Sequence, residues 1–253
     1  MNELVSILPF ALILCIGIFV QSAAGFAAGL FIVPALMWFG YSIPEAQTSL
    51  LVATIPQNLW GVWTLRDAIS FSKLKVPGFT RILFLPIGIA VLQTLEAYSV
   101  ITLRQVVGGV VLAVTIAMMV FNPRPQAQLH RGWAFLAFPL SGFLQGLVGM
   151  GGPAIVFWVQ AHDWDTRRIR GFLFGMFLIS MFPAIGLLYY TFGSRIIQPG
   201  MLAAAMTPLL LLVTFAGLRF GNWLGRARLR RITLGILFVM GLAGLAAPWL
   251  SSR

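Results

Sequence analysis

The sequence predicts an all-α integral membrane protein made of two inverted repeats, each a broken-helix hairpin followed by three transmembrane helices. Three observations predict it. The first is composition: 59% of the chain is hydrophobic and 9% charged, with a mean hydropathy of +0.93. Soluble domains carry about 25% charged residues. The second is a run of small residues that occurs twice, each time in the middle of a long apolar stretch. It reads Gln21-Ser22-Ala23-Ala24-Gly25-Phe26-Ala27-Ala28-Gly29 and, 124 positions after Gln21, Gln145-Gly146-Leu147-Val148-Gly149-Met150-Gly151-Gly152-Pro153. The third is the placement of the basic residues in short segments between apolar stretches, as the positive-inside rule expects.

The apolar stretches run over 5–39, 47–65, 78–97, 103–121, 133–161, 170–192, 200–218 and 231–249. The first repeat is expected over 1–122 and the second over 123–253. Six stretches have ordinary spanning length, about 20 residues for a 30 Å core. As one helix, 5–39 would be about 50 Å long, so it must tilt, leave the membrane or fold back. The N-terminus lacks a basic leader, with Glu3 its only charge before the apolar run, so the first stretch reads as a retained membrane segment.

Counting cations decides between these options. If every stretch crosses once, the two sides carry eight and nine Arg or Lys residues, which is no bias. If 5–39 and 133–161 fold back as hairpins, one side holds Arg66, Lys73, Lys75, Arg81, Arg124, Arg131, Arg167, Arg168, Arg170, Arg219, Arg226, Arg228, Arg230 and Arg231. The other holds Arg104, Arg195 and Arg253. Fourteen against three is the expected asymmetry and puts both termini on the periplasmic side. Each half then crosses an odd number of times, so the halves are inverted and their glycine-rich turns meet near the midplane. Eight single crossings with a parallel repeat are the alternative.

Weaker correspondences accompany the main one. Pro77-Gly78 matches Pro199-Gly200 and Pro86 matches Pro208, at an offset of 122. Leu103-Arg104 matches Leu229-Arg230, and Gly109 matches Gly235, at an offset of 126. Pro77 and Pro199 suit first helical turns, whereas Pro86 and Pro208 should kink helix interiors. Trp38, Trp60, Trp63, Trp133, Trp158, Trp164, Trp223 and Trp249 fall near stretch ends, where indoles favour the membrane interface.

The candidate site residues are Gln21, Gly25, Gly29, Asn58, Gln145, Gly149, Gly151, Gly152 and Pro153. Glycines permit positive φ and close approach to the backbone. Pro153 suits the first position of a half-helix, whose free N–H groups and positive dipole end would face the membrane centre. Such a terminus holds anions. Gly25-xxx-Gly29 also fits a small-residue helix contact. Gln21 and Gln145 stand just before the two runs and can donate to an oxyanion, cap broken backbone or tie helices together. Gln47, Thr54 and Asn58 form a polar stripe on one face of 47–65, while its counterpart 170–192 offers Ser180 and Thr191.

No acidic residue falls mid-span. The donors expected at depth are backbone N–H, amide and hydroxyl groups, which suit an oxyanion better than a cation. The single Cys15 excludes an internal disulfide, and His130 and His162 sit at stretch ends, so neither metal nor cofactor is expected. The +11 net charge does not imply nucleic acid, because the cations lie in short loops.

The paired turns, small size and short loops resemble the TauE/SafE family of sulfite and organosulfur anion permeases. The resemblance is clearest at Gly146–Pro153 and echoed over Gly25–Pro34, and its layout covers essentially the whole chain. Ala27 and Ala28 replace part of the family's richer glycine pattern. The resemblance implies a secondary transporter that exports a small anion such as sulfite, a sulfonate or a related organic anion from a bacterial inner membrane. The partners expected are that anion, membrane lipid and, as open possibilities, a coupling proton or ion and a second copy of the chain. A non-transporting subunit of a larger complex and a membrane-embedded enzyme are the competing classes. The enzyme would need nucleophilic, acid–base or metal residues at depth, and the subunit would leave the duplicated break unexplained.

Overall fold

A computed structural model of the chain describes residues 2–24, 27–120, 126, 129–130, 132–224 and 226–250. The helices are α1 Asn2–Ala24, α2 Ala28–Trp38, α3 Ile43–Thr64, α4 Phe71–Leu95, α5 Val100–Val120 and α6 Gly132–Val148. They continue as α7 Gly152–Gln160, α8 Thr166–Phe192, α9 Ile197–Ala205, α10 Thr207–Leu224, α11 Arg226–Leu245 and α12 Ala247–Leu250. Three stretches are long and apolar enough to cross a membrane alone: α4, α5, and 166–205, where α8 continues into α9. Shorter apolar helices occupy 7–23, 28–38, 132–148, 207–221 and 231–245. Leu83, Ile87, Phe135, Leu136, Leu212 and Val239 lie exposed on the outer surface. An apolar exterior of this kind suits a lipid surround.

Helices α2 and α7 have 11 and 9 residues. At 1.5 Å per residue they are about 16 and 13 Å long, roughly half the hydrocarbon core. Each lies back along the helix before it. A Cβ at Gly17 would overlap Ile32 on the returning strand of chain. The Phe10 and Tyr41 rings, on opposite arms, stand 5.2 Å apart. In the second half the Phe138 and Trp158 rings are 5.0 Å apart. Both breaks therefore sit at the tip of a two-armed unit whose open end is held by aromatic contact.

Small residues set the other close contacts. Gly142 and Gly146 of α6 press on the carbonyls of Arg81 and Leu85 in α4, with no room for a Cβ. Gly217 and Gly221 of α10 do the same to α1, where a Cβ would come within 2.7 Å of the Phe19 and Ala23 carbonyls. Helices α5 and α11 cross at Gly108 and Gly244, a Cβ on Gly108 falling 2.7 Å from the Gly244 Cα. Without a hydrophobic force between helices in lipid, such backbone approach supplies the packing. The pairing has a regularity: α1 packs on α10 as α6 packs on α4, while α3 packs on α8 and α5 on α11.

Several expected boundaries move. Helix α4 starts at Phe71, well before the expected 78, so Pro77 lies inside it rather than in its first turn. The expected kink at Pro208 is a full break: α9 stops at Ala205, and Pro208 is the second residue of α10. Proline lacks the N–H that would continue the ladder and clashes with the carbonyl four residues back. Its counterpart Pro86 is carried inside α4. Trp158 packs among Phe138, Phe172, His162 and Trp164 at ring distances of 4.1–5.6 Å.

Candidate functional site

The second break is built by Gly149, at φ 72°. That left-handed conformation ends α6, returning the Gly149 N–H to the Gln145 carbonyl at 3.0 Å and the Met150 N–H to Leu144 at 3.2 Å. Helix α7 then starts at Gly152 with Pro153 in its first turn and no side-chain cap. The first break lacks a glycine where one is wanted. Ala27, at φ 91°, is the only non-glycine with positive φ among the described residues. It precedes α2, which also has no side-chain cap. The first N–H groups of a helix have no intrahelical partner, so two uncapped N-termini, each carrying about half a positive charge, stand at the breaks. The breaks touch: a Cβ on Gly29 would lie 2.5 Å from the Gly149 carbonyl oxygen.

A cavity of about 60 Å³ lies between them. Ala28, Gly29, Gly149 and Gly152 line it, with Gln21, Thr54, Asn58, Gln145 and Ser180. It is also lined by a cation, Arg81, from the third turn of α4. Arg81 is 1% exposed. Its Nη2 donates to Gln145 Oε1 at 3.1 Å and its Nη1 to the Met176 carbonyl at 3.5 Å. Its Nε has no partner. No described carboxylate pairs with it; the pairs Arg66–Asp67 and Arg195–Glu96 do not involve it. A buried, uncompensated cation is strongly disfavoured.

Gln145 organises this corner. Its Oε1 also accepts from the Gly151 N–H at 3.4 Å, while its buried Nε2 has no partner. The carbonyl end thus holds Arg81 and the break, and the amide end keeps donors in hand. Ser141 fixes the turn further by donating to the Gly151 carbonyl at 2.6 Å.

Of the sequence-predicted site residues, Gln21, Gly29, Asn58, Gln145, Gly149, Gly152 and Pro153 share this cavity. Gly25 lies outside the described residues. Gly151 does not line the cavity: it is packed against Ser141, with a Cβ position 2.8 Å from Gln145 Cβ and 3.0 Å from Arg81 Nη2. The buried polar residues of α3 divide their work. Thr54 and Asn58 face the cavity, Gln47 donates to the Gly146 carbonyl at 3.4 Å, and Gln57 donates to Ser22 Oγ at 3.2 Å.

Arg81 is the residue that sequence reading placed wrongly. It counted among the basic loop residues, and the donors at depth were expected to be uncharged. The signal available was its position, four residues into the apolar stretch starting at 78 and ten after the start of α4. Without Arg81 the count expected from the sequence becomes thirteen against three (fourteen less Arg81).

A second cavity of about 190 Å³ adjoins the first, sharing Gln21 and Phe177 as lining residues. Its walls include Trp60, Leu173 and Phe174, and it extends to Thr64, Leu65, Thr166 and Arg167 at the ends of α3 and α8. On another face of the molecule, Glu96 after α4 pairs with Arg195 between α8 and α9.

With this geometry in view, comparison with known proteins gives a consistent answer. A profile of the sulfite exporter TauE/SafE family matches residues 9–244. The chain is 22% identical to the probable sulfite/organosulfonate exporter TauE of Cupriavidus necator, over 98% of this chain and 97% of that one. No solved structure matches it. The chain therefore belongs to the TauE/SafE sulfite exporter family, whose members are membrane transporters and not enzymes.

Proposed function

We propose that the chain is a secondary exporter of a small oxyanion, sulfite or a sulfonate, bound in the cavity between the two helix breaks. The observation that carries this reading is Arg81, a buried guanidinium with no carboxylate partner beside two uncapped helix N-termini. All three features favour negative charge at one point. An anion there would supply the countercharge that the protein withholds. Gln145 Nε2 and the N–H groups at Gly29 and Gly152 are the donors in reach, with Gln21, Asn58, Gly149, Pro153 and Ser180, whose hydroxyl donates to the Met176 carbonyl, completing the wall. Gly151 acts from behind, holding Gln145 and Arg81 in register.

In the same reading the two halves, 1–122 and 123–253, are inverted repeats in a bacterial inner membrane with periplasmic termini. The reciprocal packing of α1 on α10 and α6 on α4 supports it, as does the thirteen-to-three bias of the remaining cations. The basic ends of α3 and α8 then face the cytoplasm, and the larger cavity is the inner vestibule. The basic surface raises the local anion concentration there. Rocking of one half against the other exposes the central site alternately to the two sides.

Efflux of radiolabelled sulfite from proteoliposomes tests the reading. Wild type should transport, and Arg81→Gln should lose nearly all flux. Undiminished flux in Arg81→Gln would exclude the site.

A further inference from the structure

The two cavities meet at two side chains, Gln21 and the ring of Phe177. Phe177 lines both the central site and the vestibule. The Arg81 guanidinium carbon lies 5.3 Å from its centroid. Its Cζ is 3.6 Å from where a Cβ on Gly152 would be. One aromatic side chain thus touches the cation and the second break and ends the small chamber on the vestibule side. The chamber holds about 60 Å³ and the space beyond about 190 Å³, where Trp60, Leu65, Leu173 and Phe174 form an apolar wall and Arg167 and Arg170 also line the space.

We infer that Phe177 sets the length of anion the site accepts, and that the apolar vestibule beyond it is the space an organic tail would occupy if the ring were removed. This rests on the proposed anion site at Arg81. A compact oxyanion fits the small chamber with the ring in place. A sulfonate with a longer alkyl tail has its head at Arg81 and its tail directed at the ring. Without the ring the tail reaches a wall that rewards apolar contact, each buried methylene improving binding about fourfold.

The test is competition of methane-, ethane-, propane- and butanesulfonate against radiolabelled sulfite in proteoliposomes, for wild type, Phe177→Ala and Phe177→Leu. In wild type, potency should fall with each added carbon. In Phe177→Ala it should rise with length, the butane-to-methanesulfonate potency ratio gaining at least about sixtyfold from three methylenes. Phe177→Leu, which keeps apolar bulk, should fall between. An unchanged length profile in a variant that still moves sulfite would overturn the inference. If Phe177→Ala does not fold, Phe177→Leu carries the test, read also as thermal stabilisation by butanesulfonate in detergent; no gain over wild type overturns the inference. Arg81→Gln is run alongside. Sulfite flux there equal to wild type would sink the underlying site, a failure distinct from an unchanged length profile.

Discussion

Arg81→Gln separates a ligand-binding cation from a structural one, because the two roles predict opposite changes in the empty protein. Arg81 spends one N–H on Gln145 and one on the Met176 carbonyl, and no carboxylate balances its charge. In the empty protein the charge is a liability. Even a paired buried ion can be replaced by apolar groups of similar volume with a neutral to stabilising effect of about 1–4 kcal/mol, so removing a buried cation that has no ionic partner relieves its desolvation cost. With an oxyanion bound, the same group supplies a charge-assisted hydrogen bond worth about 1.5–3 kcal/mol. At about 4 Å and an effective dielectric near 20 it adds a Coulomb attraction of up to about 4 kcal/mol. Allowing for the desolvation that offsets part of this, Arg81→Gln should cost about 2–4 kcal/mol of binding, roughly 30- to 1000-fold in affinity. The assay is thermal unfolding in detergent with and without sulfite. Wild type should gain stability with sulfite, by about 2.7 kcal/mol at a hundredfold excess over Kd. Arg81→Gln should unfold no lower than wild type when empty and, at the same sulfite concentration, gain less than about 1 kcal/mol. A variant that unfolds lower when empty and gains as much from sulfite as wild type would refute the reasoning.

Gln145→Glu should abolish sulfite flux, because its carboxylate would pair with Arg81, now 3.1 Å from Gln145 Oε1, and occupy the anion's place; wild-type flux in proteoliposomes would contradict this. Ala27→Gly should raise thermal stability by about 1 kcal/mol by relieving the left-handed alanine at φ 91°, and a lower unfolding temperature would contradict the strain. Gly151→Ala should lose transport by displacing Gln145 and Arg81, whereas Gly152→Ala, whose Cβ makes an ordinary 3.6 Å contact, should fold and transport more slowly; flux measurements giving the reverse order would show that the lining is misassigned. A C-terminal alkaline phosphatase fusion should be active and a C-terminal green fluorescent protein fusion dark, the opposite pair refuting periplasmic termini.

Much of this arrangement was legible in the sequence because it depends on local chemistry. Left-handed turns want glycine, half-helices start well at proline, and a doubled Gln-to-glycine run marked both breaks. That Gln21 and Gln145 reach one cavity follows from their equivalent places before those runs. What was illegible depends on tertiary contact. Ala27 gives no sign of its positive φ of 91°, because an alanine does not favour that conformation. Arg81 looks like one more loop cation until α4 is seen to begin at Phe71, which moves it from the surface into the bundle. The distinction between Gly151 and Gly152 is likewise invisible, since it rests on which neighbour each backbone meets. Pro86 and Pro208 are equivalent in sequence, yet one is carried within a helix and the other follows a break.

The central claim is that an oxyanion binds beside Arg81 between the breaks, and the direct measurement is the position of the anion itself. Selenite has the charge and shape of sulfite and scatters anomalously. Crystals of the protein grown with selenite should show one selenium peak within hydrogen-bonding reach of the Arg81 guanidinium and of the Gly29 and Gly152 backbone. A peak elsewhere, or an empty central cavity in a protein that demonstrably transports selenite, would contradict the account.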